Sequence, residues 1–592
     1  MKKSFFLLLF FLALTGTTHA AAVRYEVVYS GVKNRELLLK IKDACQLIAL
    51  KNRPPRSINA LRYRADGDIP QIKKILQAYG YYDAEVDTTL IDKKNKILVK
   101  VNIYLKMPYQ LASYTIFKTP CMEKQPLELC KPFDLSQLEL KLGEPVNAQK
   151  IIDSRLILLS KLAECGYPLS KVDNQESIVD TQKKTMDIEL CVEKGPLCHF
   201  GPISLVGLKS IHPQFIEKKI QWDEGDIYSP EKIEDTQKRL LQTDLFSSAL
   251  ITHSGELDES HNLPIKIHLT ESKHKSVSIG VSYATIERFG TSFTWANRNF
   301  RGMGELLSIE GELAQRYYAG TATYMKPDFR KLDQDFFTRL QASREKIHVY
   351  LAFSYSAIAR IDRKYKNTWY SSWGVKSEFV DVTNSINNGK YMLVYLPLFL
   401  KYSTANSLLN PSRGFSLSYI PVPYASVGNH KSVFFKQVFL AETYFPFTKD
   451  DWFVLAFRFQ LGSLIGPKVR RLPMTKLFFG GSDDDLRGYR YRTVSPLNST
   501  GDATGGRSAI YFTVEPRFKV TSSIGLVPFL DLGTVDTTQY PNPTHKWHKS
   551  TGIGLRYYTF FGPFRLDVGF PLNRRKDIDP RYRIYASIGQ TF

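Results

Sequence analysis

The chain has 592 residues, of which 43% are hydrophobic and 23% charged, with a formal net charge of +22. That length is far more than one hydrophobic core organises, so several domains are expected. The positive excess could suggest nucleic acid, but a chain that is exported, as its first residues indicate below, rarely meets it; anionic lipid or lipopolysaccharide is the expected counter-charge, although Lys and Arg are scattered and form no basic stripe.

Lys2 and Lys3 precede the run FFLLLFFLAL (Phe5 to Leu14), and TGTTHAAA follows. A charged start, a short apolar stretch and an A-x-A-like exit read as a secretory signal over residues 1–20, cleaved after Ala20 or Ala22. About ten apolar residues fall short of the ~20 that a membrane-spanning helix needs. The mature chain is therefore expected to be exported. Its cysteines (Cys45, Cys121, Cys130, Cys165, Cys191, Cys198) all lie before residue 200. An oxidising compartment permits disulfides, and Cys121 with Cys130 and Cys191 with Cys198 are candidate pairs by nearness in sequence. Other connectivities stay open. Neither a C-x-x-C pair nor a histidine spacing supports a metal site, so no metal or cofactor is expected.

Up to about residue 272 one pattern recurs three times. IPQIKKILQAYGYYDAEVDTTL (Ile69 to Leu90) has apolar residues at helical spacing, then Gly80 as a helix stop, then an alternating strand. AQKIIDSRLILLSKLAECGYPLSKV repeats it with Gly166 and Tyr167 where Gly80 and Tyr81 stood. SPEKIEDTQKRLLQTDLFSSALITHSG is the third copy, closed by Asp244, Leu245 and Phe246. Short strands precede each helix (YEVVYSGV, ASYTIFK, FGPISLVGL) and another follows (KILVKVNIYL, TMDIELCVEK, LPIKIHLTES). Each copy reads β-α-α-β-β, a sheet with one face covered by helices and an edge left available to an added strand.

Beyond residue 272 the period becomes two. FVLAFRFQLGSL puts Phe453, Leu455, Phe457, Phe459 and Leu461 on one face and Arg458 and Gln460 on the other. AIYFTVEPRF sets Ile510, Phe512, Val514 and Phe518 against Glu515 and Arg517; GPFRLDVGFPL sets Phe564, Leu566, Val568 and Phe570 against Arg565 and Asp567. Strands ending in aromatic residues such as Tyr557 and Tyr558 fit a lipid-facing band with aromatic girdles. A sheet in lipid must close on itself to pair its backbone. At roughly 20 residues per strand and turn, the segment gives an all-β barrel of about 16 antiparallel strands.

Four stretches carry a family resemblance. FFGGSDDDLRGY (Phe478 to Tyr489) has an R-G-Y core at Arg487, Gly488 and Tyr489; VPFLDLGTV (Val527 to Val535) has F-x-D-x-G at Phe529, Asp531 and Gly533. STGIGLRYYTFFGPFRLDVGFPLN and a terminal strand RIYASIGQTF ending in Phe592 complete the order. With the triple repeat, this resembles the TamA/BamA family of outer-membrane assembly proteins, whose periplasmic modules are called POTRA. Three repeats and this length favour the TamA branch. The resemblance implies that the loop folds back into the barrel and that Arg487 pairs with Asp531. Gly480, Gly481 and Gly488 would supply backbone conformations closed to larger residues. Asp483, Asp484 and Asp485 are expected in a wetter part of the loop, with too few oxygen ligands for calcium.

The boundaries expected are 1–20 signal, 21–106, 107–196 and 197–271 for the three POTRA-like repeats, and 272–592 for the barrel. The resemblance implies no catalysis but assistance to autotransporter or other barrel clients at a seam between KSVSIGVSYATI (Lys275 to Ile286) and RIYASIGQTF. Gly280 and Gly589 in these strands would weaken the ladder there, or serve only barrel curvature. Partners implied are unfolded clients and, at the first repeat, a TamB-like inner-membrane-anchored protein, with the repeats in the periplasm of a Gram-negative bacterium. A secretion pore for one dedicated exoprotein and a central BamA-like insertase are the alternatives.

Overall fold

The structure is a computed structural model describing residues 23–93, 96–128, 134–284, 288–366, 368–428, 430–560 and 562–592. The signal segment and Cys130 lie outside the described residues. The chain divides into two compact units, one of Met1–Ser204 with Gln221–Asp235 and Ile251–Lys266, the other of Leu205–Ile220, Thr236–Leu250 and Ile267–Phe592.

In the first repeat β1 (Tyr25–Ser30) is followed by α1 (Arg35–Ala44), α2 (Gln46–Ala49) and α3 (Ile58–Ala78), then β2 (Glu85–Lys93) and β3 (Lys96–Tyr104). The sheet order is β1-β3-β2, with β1 parallel to β3 and β2 antiparallel to it. Asn34 caps α1 by accepting the Glu36 and Leu37 amides. Leu61, Ala65, Ile72 and Leu76 of α3 recur at helical spacing and are buried with Val99 and Val101 of β3. Gly80 ends that helix at φ +84°, and Gly166 and Asp244 take the same left-handed conformation in the next two copies.

The second repeat has β4 (Gln110–Lys118), α4 (Ala148–Glu164), β5 (Lys171–Asp180) and β6 (Thr185–Glu193), ordered β4-β6-β5. Among the described residues its first helix is replaced by single 3-10 turns at Cys121–Glu123 and Leu135–Leu138. The third repeat has β7 (His199–Val206), α5 (Pro213–Glu217), α6 (Pro230–Leu241), β8 (Phe246–His253) and β9 (Asn262–Glu271), ordered β7-β9-β8.

The sequence-nearest cysteine pairs do not form. Cys121 is bonded to Cys191, with Cα atoms 5.7 Å apart, and Cys198 is a buried free thiol. The reason is the parallel β4–β6 ladder: Phe117 lies opposite Cys191, so the chain leaving β4 is delivered beside it. Cys165 is also disulfide-bonded, and Cys45 is free and buried.

From Lys275 to Ile588 a single antiparallel sheet of 17 strands runs from β10 (Lys275–Ala284) to β26 (Arg583–Ile588) in chain order. The strands β17 (Gly389–Tyr395) and β18 (Leu398–Ser403) both pair with β16 (Trp369–Thr383) and with β19 (Gly414–Val427). They are one stave broken at Leu396 and Pro397, where proline has no N–H for the ladder. Seventeen strands thus fill sixteen positions. Val277, Ile279, Val281, Phe293, Ile309, Leu340 and Tyr355 are exposed on the outer face. Glu378, Glu515, Arg517, Asp531, Arg556, Arg565 and Asp567 are buried on the inner one.

The inner face is also where the second unit keeps its largest core. Segment 466–507, between β21 (Phe453–Ile465) and β22 (Ser508–Lys519), contributes Leu472, Met474, Leu477, Phe478, Leu486, Tyr489 and Val494. These pack against barrel residues that include Val380, Tyr391, Leu393, Tyr424, Phe434 and Tyr511.

Candidate functional site

Arg487 is 1% exposed, at the tip of segment 466–507. Its Nε and Nη2 donate to Asp531 Oδ2 and Oδ1 at 2.8 and 2.7 Å, and its backbone amide donates to Oδ2 at 3.2 Å. That is the two-pronged fit a planar guanidinium offers a carboxylate. Nη1 donates further to Glu515 Oε1 at 2.7 Å and Asp567 Oδ2 at 3.0 Å. The guanidinium carbon lies 3.4 Å from the Phe529 ring centroid, so its open face meets an aromatic ring.

Three strands supply the carboxylates: β22, β23 (Ile524–Asp536) and β25 (Gly562–Pro571). Asp531 is held by Arg487, while the other two carboxylates have further partners. Arg517 donates to Glu515 Oε2 at 2.9 Å, Arg556 of β24 (His548–Thr559) to Asp567 Oδ1 at 2.5 Å, and Arg565 to Asp567 Oδ2 at 2.8 Å. Four arginines and three carboxylates, each at most 4% exposed, form one continuous network. Charges so far out of water persist only when each is paired.

The loop backbone is fitted as closely. Gly488, at φ +96°, donates to Tyr585 at 2.9 Å, and a Cβ there would sit 3.0 Å from the backbone of Gly569. Gly481 is also left-handed, at φ +106°. Gly480 is not; it bridges Val494, and an added Cβ would crowd Leu486 and Tyr511 at 3.1 and 3.2 Å, so its smallness rather than its backbone freedom is used. Tyr489 donates to Lys549 O at 2.8 Å. Gly533 packs beneath the loop: an added Cβ would lie 3.0 Å from Leu486.

Of the three aspartates, Asp484 is exposed and Asp483 half-buried beside Arg565. Asp485 is not in a wet part of the loop, because it accepts the Gly481 and Ser482 amides and the Ser482 hydroxyl, each at 2.8 Å. The loop spends this carboxylate on its own turn.

A second anchor lies nearer the entry of the segment. Lys476 donates to Glu378 at 2.7 Å, Tyr395 donates to the same oxygen at 2.7 Å, and Lys436 donates to Lys476 O at 2.9 Å. Neither this anchor nor the Glu515 and Asp567 contacts were legible as partners; parity placed the two acids on the inner face but gave no depth.

The seam differs from its sequence reading. β26 ends at Ile588; Gly589 is a left-handed turn at φ +94° beyond the strand, not a weak point within it. Thr591 then donates to Glu515 at 2.8 Å, and Arg517 donates to Phe592 O at 2.8 Å. The Phe592 ring lies inside, 4.9 Å from the Arg517 guanidinium, rather than on the seam. Gly280 sits in an unbroken β10–β11 register opposite Ser292, whose hydroxyl a Cβ would approach to 2.6 Å. Among the described residues no ladder joins β10 to β26.

Family models match three stretches: an Omp85 superfamily domain over residues 299–592, a surface antigen variable number repeat (POTRA) over 199–272, and "POTRA domain TamA domain 1" over 27–105. The chain carries an Omp85 superfamily domain preceded by POTRA domains. It is 22% identical over 452 residues to the outer membrane protein assembly factor BamA of Nitratidesulfovibrio vulgaris, covering 74% of this chain but only 56% of that protein. BamA of Neorickettsia risticii is 22% identical over 535 residues, 86% of this chain and 70% of its own length. The crystal structure of Haemophilus ducreyi BamA lacking POTRA domains 1–3 superposes with a TM-score of 0.67 at 15% identity, over 81% of this chain and all of that one. The barrel fold is therefore shared with BamA.

Proposed function

We propose that this protein acts without catalysis in a Gram-negative outer membrane, assisting autotransporter or other β-barrel clients to insert through a lateral seam. The observation that carries this is the contrast between bore and wall. Segment 466–507 fills the inner face with a packed core, so a polypeptide crossing the bore would have to displace it. In the wall, by contrast, the first and last strands share no ladder among the described residues, and a free edge accepts an added strand. Support for the TamA branch comes from the first-repeat match and the repeat count. On this reading the repeats, within 21–106, 107–196 and 197–271, lie in the periplasm and dock clients along edge strands, and the first meets a TamB-like partner.

The test is a disulfide engineered between β10 and β26. The oxidised protein should stop inserting clients into vesicles and recover on reduction; equal insertion by the locked form rejects the seam. A dedicated secretion pore is the second reading, and a deletion of 466–507 that raised export of one exoprotein would favour it. A central BamA-like insertase differs in client range, which the same assay run with several clients separates.

A further inference from the structure

The wall carries a depression of about 600 Å3 apart from the seam and the Arg487 network, touching the second anchor only at Glu378. Its lining comes from five consecutive strands: β12 (Leu306–Ala314), β13 (Tyr317–Lys326), β14 (Gln334–Lys346), β15 (Leu351–Tyr365) and β16, with Met392 of β17 beyond them. Register places ten of its fifteen lining residues on the outward face, and Glu310, Thr321, Gln341, Ser356 and Glu378 form the inward-parity row between them. Ile309, Ala322, Leu340, Ala357 and Ser377 stand opposite one another in one outward row. Gly320, Ala342, Tyr355, Phe379 and Met392 form the next. Exposed Ile309, Leu340, Tyr355, Phe379 and Met392 make the rim, and the small residues between them make the floor. That volume falls in the range of small-ligand sites, about 300–1,000 Å3.

One outward position further along β14 the surface becomes cationic. Arg344 lies 5.4 Å from the Tyr318 ring centroid and 5.6 Å from that of Phe353. The same cross-strand row continues through Phe353 and Asp381 to Lys390 of β17, three strand spacings or about 14 Å from Arg344. Lys390 is 3.9 Å from Asp381 and its side chain 71% exposed; Lys346 lies two residues beyond Arg344 on the same outer face. This end of the strands is the one where segment 466–507 enters, since Arg490 of that segment meets His348 of the β14–β15 loop at 3.2 Å.

We propose that the depression takes an acyl chain of a bis-phosphorylated glycolipid of the lipid A type, with its phosphates on Arg344 and Lys390. Two separated cations on one row match a headgroup with phosphate at both ends, whereas a glycerophospholipid offers one. Asp381 between them disfavours a single phosphate bridging the row. The inference rests on reading the sheet as a membrane wall with this end outward.

The full-length protein, purified in detergent and delipidated, would be titrated with lipid A by native mass spectrometry. One tightly bound lipid A is expected, not displaced by excess phosphatidylglycerol. R344Q and A342F, both outward-facing, should each weaken it at least tenfold while heat-modifiable migration stays unchanged. Equal binding by wild type and R344Q, or displacement by phosphatidylglycerol, overturns the inference. A protein that needs no detergent to stay soluble would instead overturn the membrane reading beneath it.

Discussion

Replacing Arg487 by alanine removes a partner from three acids at once. Asp531 loses its two-pronged donor, while Glu515 keeps Arg517 and Asp567 keeps Arg556 and Arg565. The loss therefore falls chiefly on Asp531, at 0% exposure, and breaking such a pair costs about 3–5 kcal/mol. Spent on the loop rather than on the barrel, that raises the population with a detached tip by about a hundredfold to a few thousandfold. R487K keeps the charge but not the fork, and should fall between wild type and R487A. The assay is amide exchange or limited proteolysis of segment 466–507 in detergent, with heat-modifiable migration reporting the barrel separately. Loop protection in R487A equal to wild type refutes the reasoning. A reciprocal swap, R487D with D531R, should not rescue, because an acid at 487 would face Glu515 and Asp567.

Three further outcomes are expected. E378A leaves Lys476 without its carboxylate, so exchange should rise first at residues 472–480 while the Arg487 tip stays protected; a change confined to the tip refutes two separate anchors. Glu271 is raised by burial but held down to about 2 by the Lys209 and Ser210 amides and the Ser210 hydroxyl. Its folded value is depressed, so its stabilisation is full above the ordinary carboxylate range near 4.5 and is lost as pH falls toward 2; thermal melts of E271Q should lack that acid-side decline. Removing the Cys121–Cys191 bridge in a double alanine variant opens a 70-residue separation and should lower second-repeat stability by about 4 kcal/mol, read by denaturant unfolding.

Much of the fold was readable because its signals are local. Helix stops at Gly80 and Gly166 and the alternation around Phe457, Arg458 and Phe459 depend on neighbours a few residues away. The R-G-Y and F-x-D-x-G stretches were likewise visible, and Arg487 does meet Asp531. What was missed depends on which strands lie at equal depth. Glu515 and Asp567 reach Arg487 through registers across four strands, and Cys121 meets Cys191 through a parallel crossover. The turn at Gly589, which carries Thr591 and Phe592 into the interior, has no counterpart in the alternation that precedes it.

By itself the sequence determined the periods, three helix-and-sheet copies and then a two-faced sheet, since hydrophobic spacing needs no knowledge of distant residues. Only the tertiary structure decided what the inner face holds. A guanidinium with five donors can satisfy several acids at once, and which acids come within reach is a property of the register across neighbouring strands, not of any stretch along the chain.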